Sequence, residues 1–360
     1  MKKLLTILFI LYAGFTLHAN DTKSQTSDEE GFDITELIMH HIGDSHEFHI
    51  ISFPKSSGET LDITLPLPVI LWDNHGLHLF LSSKFRDNKA GKIVYSRGSY
   101  FTLVNEKIYL TDEAGTLSYN AAGDIVNEKP LDLSITKNVS SMFLSIAILL
   151  LLFIPAARNY RRTGGLSAPQ GVQKVLEPIV LFVRDDIVKS QIDQNKADFF
   201  MPFLMTLFFF IWTNNLLGLI PFFPGNANLS GNIAFTFTLS VFAFLAINVF
   251  GSKHYWKDIF TAPGAPFYIK VLLVPIEIIG IFTKPFALMV RLFANITAGH
   301  IIILCLTSII FVLQTIYALP LTVLLSLVMY SLEFLVGALQ AYVFTLLTAL
   351  FIGIAVNKEQ

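Results

Sequence analysis

Long runs without a charged side chain divide the chain. Residues 199–252, 292–332 and 334–357 contain no Asp, Glu, Lys or Arg. A water-facing surface needs charge somewhere along so long a stretch, so these segments read as membrane spans. The pattern predicts an all-α polytopic membrane protein of about five membrane helices, preceded by a small β-rich exported domain. The first span falls at about Val139–Ala157, the second at Phe199–Ile220 and the third at Ile233–Phe250. Two further apolar segments, Val271–Leu313 and Leu321–Val356, would be roughly 64 and 54 Å long as single helices. The hydrocarbon core is only about 30 Å thick. The pattern therefore predicts a long helical hairpin that is strongly tilted, bent or broken. Pro275 and Pro285 are positions where its first helix can bend. A long tilted hairpin is a shape suited to lying against another membrane object.

Charge sets the expected orientation. Arg158, Arg161 and Arg162 follow the first span, and Lys253, His254 and Lys257 follow the third; both ends are expected in the cytoplasm. The uncharged loop Pro221–Asn226 is expected outside, and the closing Asn357-Lys358-Glu359 inside. Residues 166–198 carry Val175, Ile179, Phe182 and Val183 at helical spacing and are expected at the cytoplasmic surface. At the N-terminus, Lys2 and Lys3 precede the apolar stretch Leu4–Leu17, and Leu17-His18-Ala19 offers a cleavage site. This predicts a signal peptide over 1–19, with an uncleaved anchor as the alternative. Residues 20–137 are then exported and 138–360 form the membrane domain, in the inner (plasma) membrane of the cell.

Within the exported region, residues 20–30 are polar, acidic and expected to be disordered. From about 46, five β-prone runs follow: Phe48–Ile51, Thr60–Leu65, Leu77–Leu81, Tyr100–Val104 and Lys107–Leu110. Turn residues such as Asp73-Asn74-His75-Gly76 and Glu113-Ala114-Gly115 separate some of them. His40, His41, Asp44, His46, Glu47 and His49 form a dense cluster, with His75 and His78 further on. Zinc or copper capture is one reading; a polar junction carrying surface histidines is the favoured one.

Composition sharpens this picture. Charged residues are 14% of the chain and hydrophobic ones 53%, against about a quarter charged in soluble domains. The formal net charge of −2 says nothing about partners, and no basic patch suggests nucleic acid. Cys305, the single cysteine, lies in an apolar run, which excludes a disulfide and a thiolate metal site. No Gly-Lys-Ser/Thr phosphate loop is present, so no nucleotide or other cofactor is expected.

Few ionisable groups interrupt the long apolar helices: Glu277, Lys284, Arg291 and His300 on the first, Glu333 on the second. Each costs about 2.5–3.5 kcal/mol on insertion scales. Glu277, Lys284 and Arg291 fall seven apart and Asn295 four beyond, so the four share one helical face. Glu277 and Lys284 are also placed to snorkel to the cytoplasmic interface; Arg291 is too deep for that. His300 comes nine residues after Arg291, about 180° round the helix, and should meet different surroundings. Glu333 and Gln340, seven apart, share a face of the second helix. An imidazole and a carboxylate in a wet cavity form a proton-accepting pair, and His300 and Glu333 are expected to meet.

These residues carry a resemblance. Lys284-Pro285 followed by Arg291-Leu292-Phe293-Ala294-Asn295-Ile296-Thr297-Ala298-Gly299-His300 resembles the signature of the a subunit of F-type ATP synthases. So do Glu333 with Leu339–Phe344, the Glu277-to-Arg291 spacing, and Asn214–Pro221. The similarity covers about 139–357. It implies a non-catalytic stator subunit in which Arg291 faces the carboxylates of the rotating c-subunit ring and separates two half-channels. It implies that His300, Glu333, Gln340 and Asn215 lie in or beside the half-channel from the exported side. Glu277 would stand near the cytoplasmic exit, and Asn295 beside the arginine. The implied partners are the c-ring, the b subunits of the peripheral stalk and other synthase subunits, with protons as the default coupling ion. Some relatives carry the carboxylate where His300 stands and the histidine where Glu333 stands; the exchange preserves the pair. Gly218 replaces an acidic residue of some relatives, so no role carries over there. A secondary transporter would also hold intramembrane charges but usually shows internal repeats, and none is visible. A structural scaffold would leave Arg291 unexplained.

Overall fold

The computed structural model describes residues 43–54, 60–85, 93–120, 123–164, 168–220, 225, 227–261, 266–313 and 319–356. The expected signal peptide, His40, His41, most of the 221–226 loop and Asn357–Glu359 lie outside the described residues. The chain divides into two compact units. One comprises Met1–Phe143, Ile220–Ala227 and Leu304–Ser326; the other comprises Leu144–Leu219, Asn228–Ile303 and Leu327–Gln360.

The first unit holds the β structure. β1 (Glu47–Pro54) pairs antiparallel with β2 (Thr60–Pro66). β3 (Pro68–Asp73) lies between β4 (Gly76–Leu81) and the two-residue β8 (Leu131–Asp132). β6 (Ser99–Val104) lies between β5 (Ile93–Ser96) and β7 (Lys107–Thr111). Two hairpins turn through paired left-handed residues, Arg97-Gly98 (φ 46° and 95°) and Asn105-Glu106 (φ 47° and 60°). That backbone twist matches the flanking strands. Val69, Leu71, Phe80, Phe85, Val94, Phe101 and Ile108 form one buried core drawn from both three-stranded sheets.

The five β-prone runs all fall within strands, but β3, β5 and the two-residue β8 come in addition. β3 lacks alternation because Val69 and Leu71 enter the core while Pro68 and Trp72 on its other face are also apolar. The histidines need a correction. His46 and His78 are buried, not at the surface. His46 Nε2 lies 3.0 Å from Asp132 Oδ2, and His78 Nε2 lies 2.8 Å from Asp73 Oδ1. Asp44 accepts from the Asn138 amide and the Thr136 hydroxyl. Among the described residues, no group of three or more His, Cys, Asp or Glu is placed to hold a metal ion.

Helices make up the rest: α1 (Lys137–Thr163), α2 (Val172–Phe182), α3 (Gln194–Gly218), α4 (Ile233–Val249), α5 (Lys253–Thr261), α6 (Phe267–Leu313) and α7 (Leu319–Val356). Four of them (α1, α3, α6 and α7) are long and apolar enough to cross a membrane, and α4 with α5, bent by 96°, allows a fifth. Asn232 Oδ1 accepts the Ala234 amide and caps α4. α6 runs 47 residues as one helix through Pro275 and Pro285, so of the three expected alternatives it is tilt or bending, not a break, that applies to it.

α2 continues through a π-helical turn, Val183–Val188, in which the Lys189 amide reaches Arg184 O. Leu176, Val183 and Ile187, at ordinary helical spacing, are buried, whereas Val175 and Phe182, expected on the apolar face, are exposed. The core of the second unit joins Val183, Ile187, Leu204, Ile211, Leu292 and Ile352. At one end of this unit Ser252 N–H donates to Ala355 O at 2.8 Å, and Lys196 Nζ donates to Val356 O.

Candidate functional site

The candidate site residues lie on α6, α7 and the end of α3, and all of them fall in the second unit. Leu288, Leu292 and Ile296, spaced four apart, are buried in its core with Ala341 and Phe344 of α7. That stripe fixes the rotation of α6. Arg291 and Asn295, next to the stripe, are therefore turned outward and exposed, as is Glu277. Lys284 is half-buried with its Nζ 5.4 Å from the centre of the Phe351 ring, a cation–π distance. Arg291 and Lys284 line an open pocket of about 280 Å³, walled by Ala287, Leu288, Leu347 and Phe351.

His300 points elsewhere. Its Nε2 lies 3.7 Å from Glu333 Oε1, and the two side chains are 17% and 4% exposed. This is ion-pair distance, longer than a direct hydrogen bond. Gly299 makes the approach possible, since a Cβ there would stand 2.8 Å from Glu333 Oε1. Gln340, two turns further along α7, is also buried.

Asn215, at the end of α3, is held from two sides. Its Nδ2 donates to Gly337 O at 2.9 Å, and Ser230 Oγ donates to its Oδ1 at 2.6 Å. A Cβ at Gly337 would sit 3.3 Å from Asn215 Cβ, so a small residue lets α3 and α7 approach here. Thus Asn215, Glu333 and Gln340 are buried, with His300 against Glu333, while Glu277, Arg291 and Asn295 occupy the outward side of α6.

Gly299, Gly337 and Ser230 have no assigned role in the sequence reading. A glycine inside a long helix weakens it by roughly 0.5–1 kcal/mol, so each glycine was a signal that something packs closely there. Ser230 gave none, because its partner lies fifteen residues away across a loop.

The profile of the ATP synthase A chain family matches residues 139–353, a span that contains every residue of the site. The chain belongs to the ATP synthase A chain family. Members are named subunit a of ATP synthase, a non-catalytic component of the membrane sector. The chain is 44% identical over 231 residues to ATP synthase subunit a of Chloroherpeton thalassium, covering 63% of this chain and 68% of that one. It is 39% identical over 279 residues to ATP synthase subunit a 2 of Chlorobium luteolum, covering 76% and 78%. A relative from Chlorobium phaeobacteroides is 46% identical over 234 residues, covering 63% and 68%. Residues 37–133 match a separate domain family of unknown function. This ATP synthase A chain family member is thus a multi-pass membrane protein whose β-rich region lies outside the ATP synthase profile.

Proposed function

We infer that this chain is the proton-translocating stator subunit of a rotary F-type ATP synthase and supplies two half-channels to a c-subunit ring. The observation that carries the reading is the separation of two polar sites on one helix. His300 lies against buried Glu333, while Arg291 is turned outward beside Lys284. A proton arrives from the exported side through the His300/Glu333 site, with Asn215 and Gln340 beside it. It neutralises a carboxylate of a c subunit, and only the neutral form rotates cheaply into lipid. After nearly a full turn the proton leaves on the cytoplasmic side near Glu277. Arg291, with Asn295 beside it, keeps the passing carboxylate ionised and blocks a direct leak between the two paths. The membrane potential drives each charge with about 2.3 kcal/mol per 100 mV.

In this reading the subunit sits in the inner membrane against the c-ring, the peripheral-stalk b subunits and other synthase subunits. Its N-terminal region is exported and its C-terminus cytoplasmic. Lys196, Ser252 and the end of α7 share one end of their unit, which agrees with an inside face rich in Lys and Arg. The test is Arg291→Ala in the assembled synthase, read as ATP-driven proton pumping in inverted vesicles. Loss of coupled pumping with assembly intact is expected; retained coupled pumping rejects the reading.

A further inference from the structure

The outer face of the β4–β3–β8 sheet is apolar from edge to edge. Register places Leu77, Trp72 and Leu131 in one row across the three strands. Beyond β8 the chain stays beside β3, because the Leu133 amide donates to Ile70 O at 2.9 Å and the Ile135 amide to Pro68 O at 3.0 Å. Two more rows follow, Leu79–Ile70–Leu133 and Leu81–Pro68–Ile135. None of these positions is charged. Trp72, Leu79, Leu81, Leu131 and Leu133 are 48–63% exposed. The opposite face already supplies Val69, Leu71 and Phe80 to the core. Apolar residues on both faces are the pattern of a sheet covered on both sides, and a contiguous exposed patch of this kind marks a docking surface.

The chain itself fixes how far this face can be from the bilayer. Ile135 comes two residues before Lys137, where α1 begins. The join is not a free linker: the Lys137 amide donates to Ser45 O at 2.8 Å, and the Asn138 amide to Asp44 Oδ1 at 3.0 Å. A span needs about 20 apolar residues. Counted back from Arg158, that length places residues 135–138 at the boundary between hydrocarbon and headgroups. The Leu81–Pro68–Ile135 row therefore lies in the interfacial layer, and the Leu77–Trp72–Leu131 row is about 14 Å further along the strands.

We propose that this sheet face lies flat on the bilayer, its strands running along the headgroup–acyl boundary of the leaflet from which α1 emerges, so that Trp72, about 14 Å along the strands from the Ile135 row, is its interfacial anchor. A soluble partner or a second copy would have to displace headgroups to reach the Leu81–Pro68–Ile135 row, whereas lipid is already there.

Trp212→Phe with Trp256→Phe leaves Trp72 as the sole tryptophan of the full chain. The chain is placed one copy per nanodisc, and quenching of Trp72 by acyl-brominated phospholipid is compared with quenching by aqueous iodide. Brominated lipid is expected to quench roughly half the emission or more and iodide little, as for an interfacial tryptophan. Leu79→Glu with Leu133→Glu is expected to reverse that order. Iodide quenching that exceeds lipid quenching, or shielding from both by protein, overturns the proposal. If the double Phe variant fails to fold, Leu79→Cys in a Cys305→Ser background, carrying an environment-sensitive fluorophore, gives the same comparison.

Discussion

A Cβ on Gly299 would lie 2.8 Å from Oε1 of Glu333 and 3.0 Å from its Cδ. The carboxylate occupies space that only the absence of a side chain leaves open, and that space sets its distance to His300. Gly299→Ala is therefore expected to turn the Glu333 carboxyl away from His300. Overpacking costs about 1–3 kcal/mol, and the gain of about 1 kcal/mol in helix propensity offsets part of it. Thermal stability should change little, while ATP-driven proton pumping falls tenfold or more, equivalent to about 1.4 kcal/mol in the barrier. Pumping and the thermal midpoint, measured on the same purified synthase, check this.

The 3.7 Å approach of His300 to Glu333 makes the pair, not either residue, the unit of function. His300→Ala and Glu333→Gln are each expected to lower pumping strongly. The exchange variant, His300→Glu with Glu333→His, should recover a large part of it. A double-mutant cycle on pumping rates checks the coupling; additive losses in the exchange variant would show that the two act independently.

Asp73 gives the β-rich region a dependence on acid. Burial pushes its carboxyl up, but hydrogen bonds from Ser99, His78 and the His75 amide outweigh burial and bring it from 3.8 to about 2. A folded-state value below the unfolded one adds stability above about pH 4, and that stability is lost as pH falls through 2. Ser99→Ala should move the acid transition of this region to higher pH. Asp73→Asn should lower stability at neutral pH and flatten the profile. Limited proteolysis of the N-terminal region against pH, in the full chain, reads both.

Asp44 caps α1 from ninety-four residues away, accepting the Asn138 amide at 3.0 Å and the Thr136 hydroxyl at 2.9 Å. Asp44→Ala is expected to cost about 0.5–2 kcal/mol, the usual range for a lost N-cap. Faster amide exchange at residues 137–140, with the rest of α1 unchanged, is the expected signature in hydrogen-exchange measurements.

The sequence by itself determined where the membrane helices run. A bilayer excludes charge from any span, and that rule acts residue by residue, so Val139–Ala157, Phe199–Ile220 and Ile233–Phe250 anticipate α1, α3 and α4 to within a few residues at either end. Helical spacing likewise divided Arg291 from His300, because a rotation of about 100° per residue is a local property. What lies across from each residue is not local. Only tertiary packing decided that Glu333 stands beside His300, since that depends on the register of α6 against α7. Only packing showed that Gly299 and Gly337 create the room for Glu333 and Asn215. α2 with its π turn buries Leu176, Val183 and Ile187 rather than Val175, because apolar residues lie nearly all round this stretch and only packing chose among them. The strand β3 escaped notice for a related reason. Its two faces are both apolar, so its pairing, rather than its pattern, revealed which side entered the core and which side was left exposed.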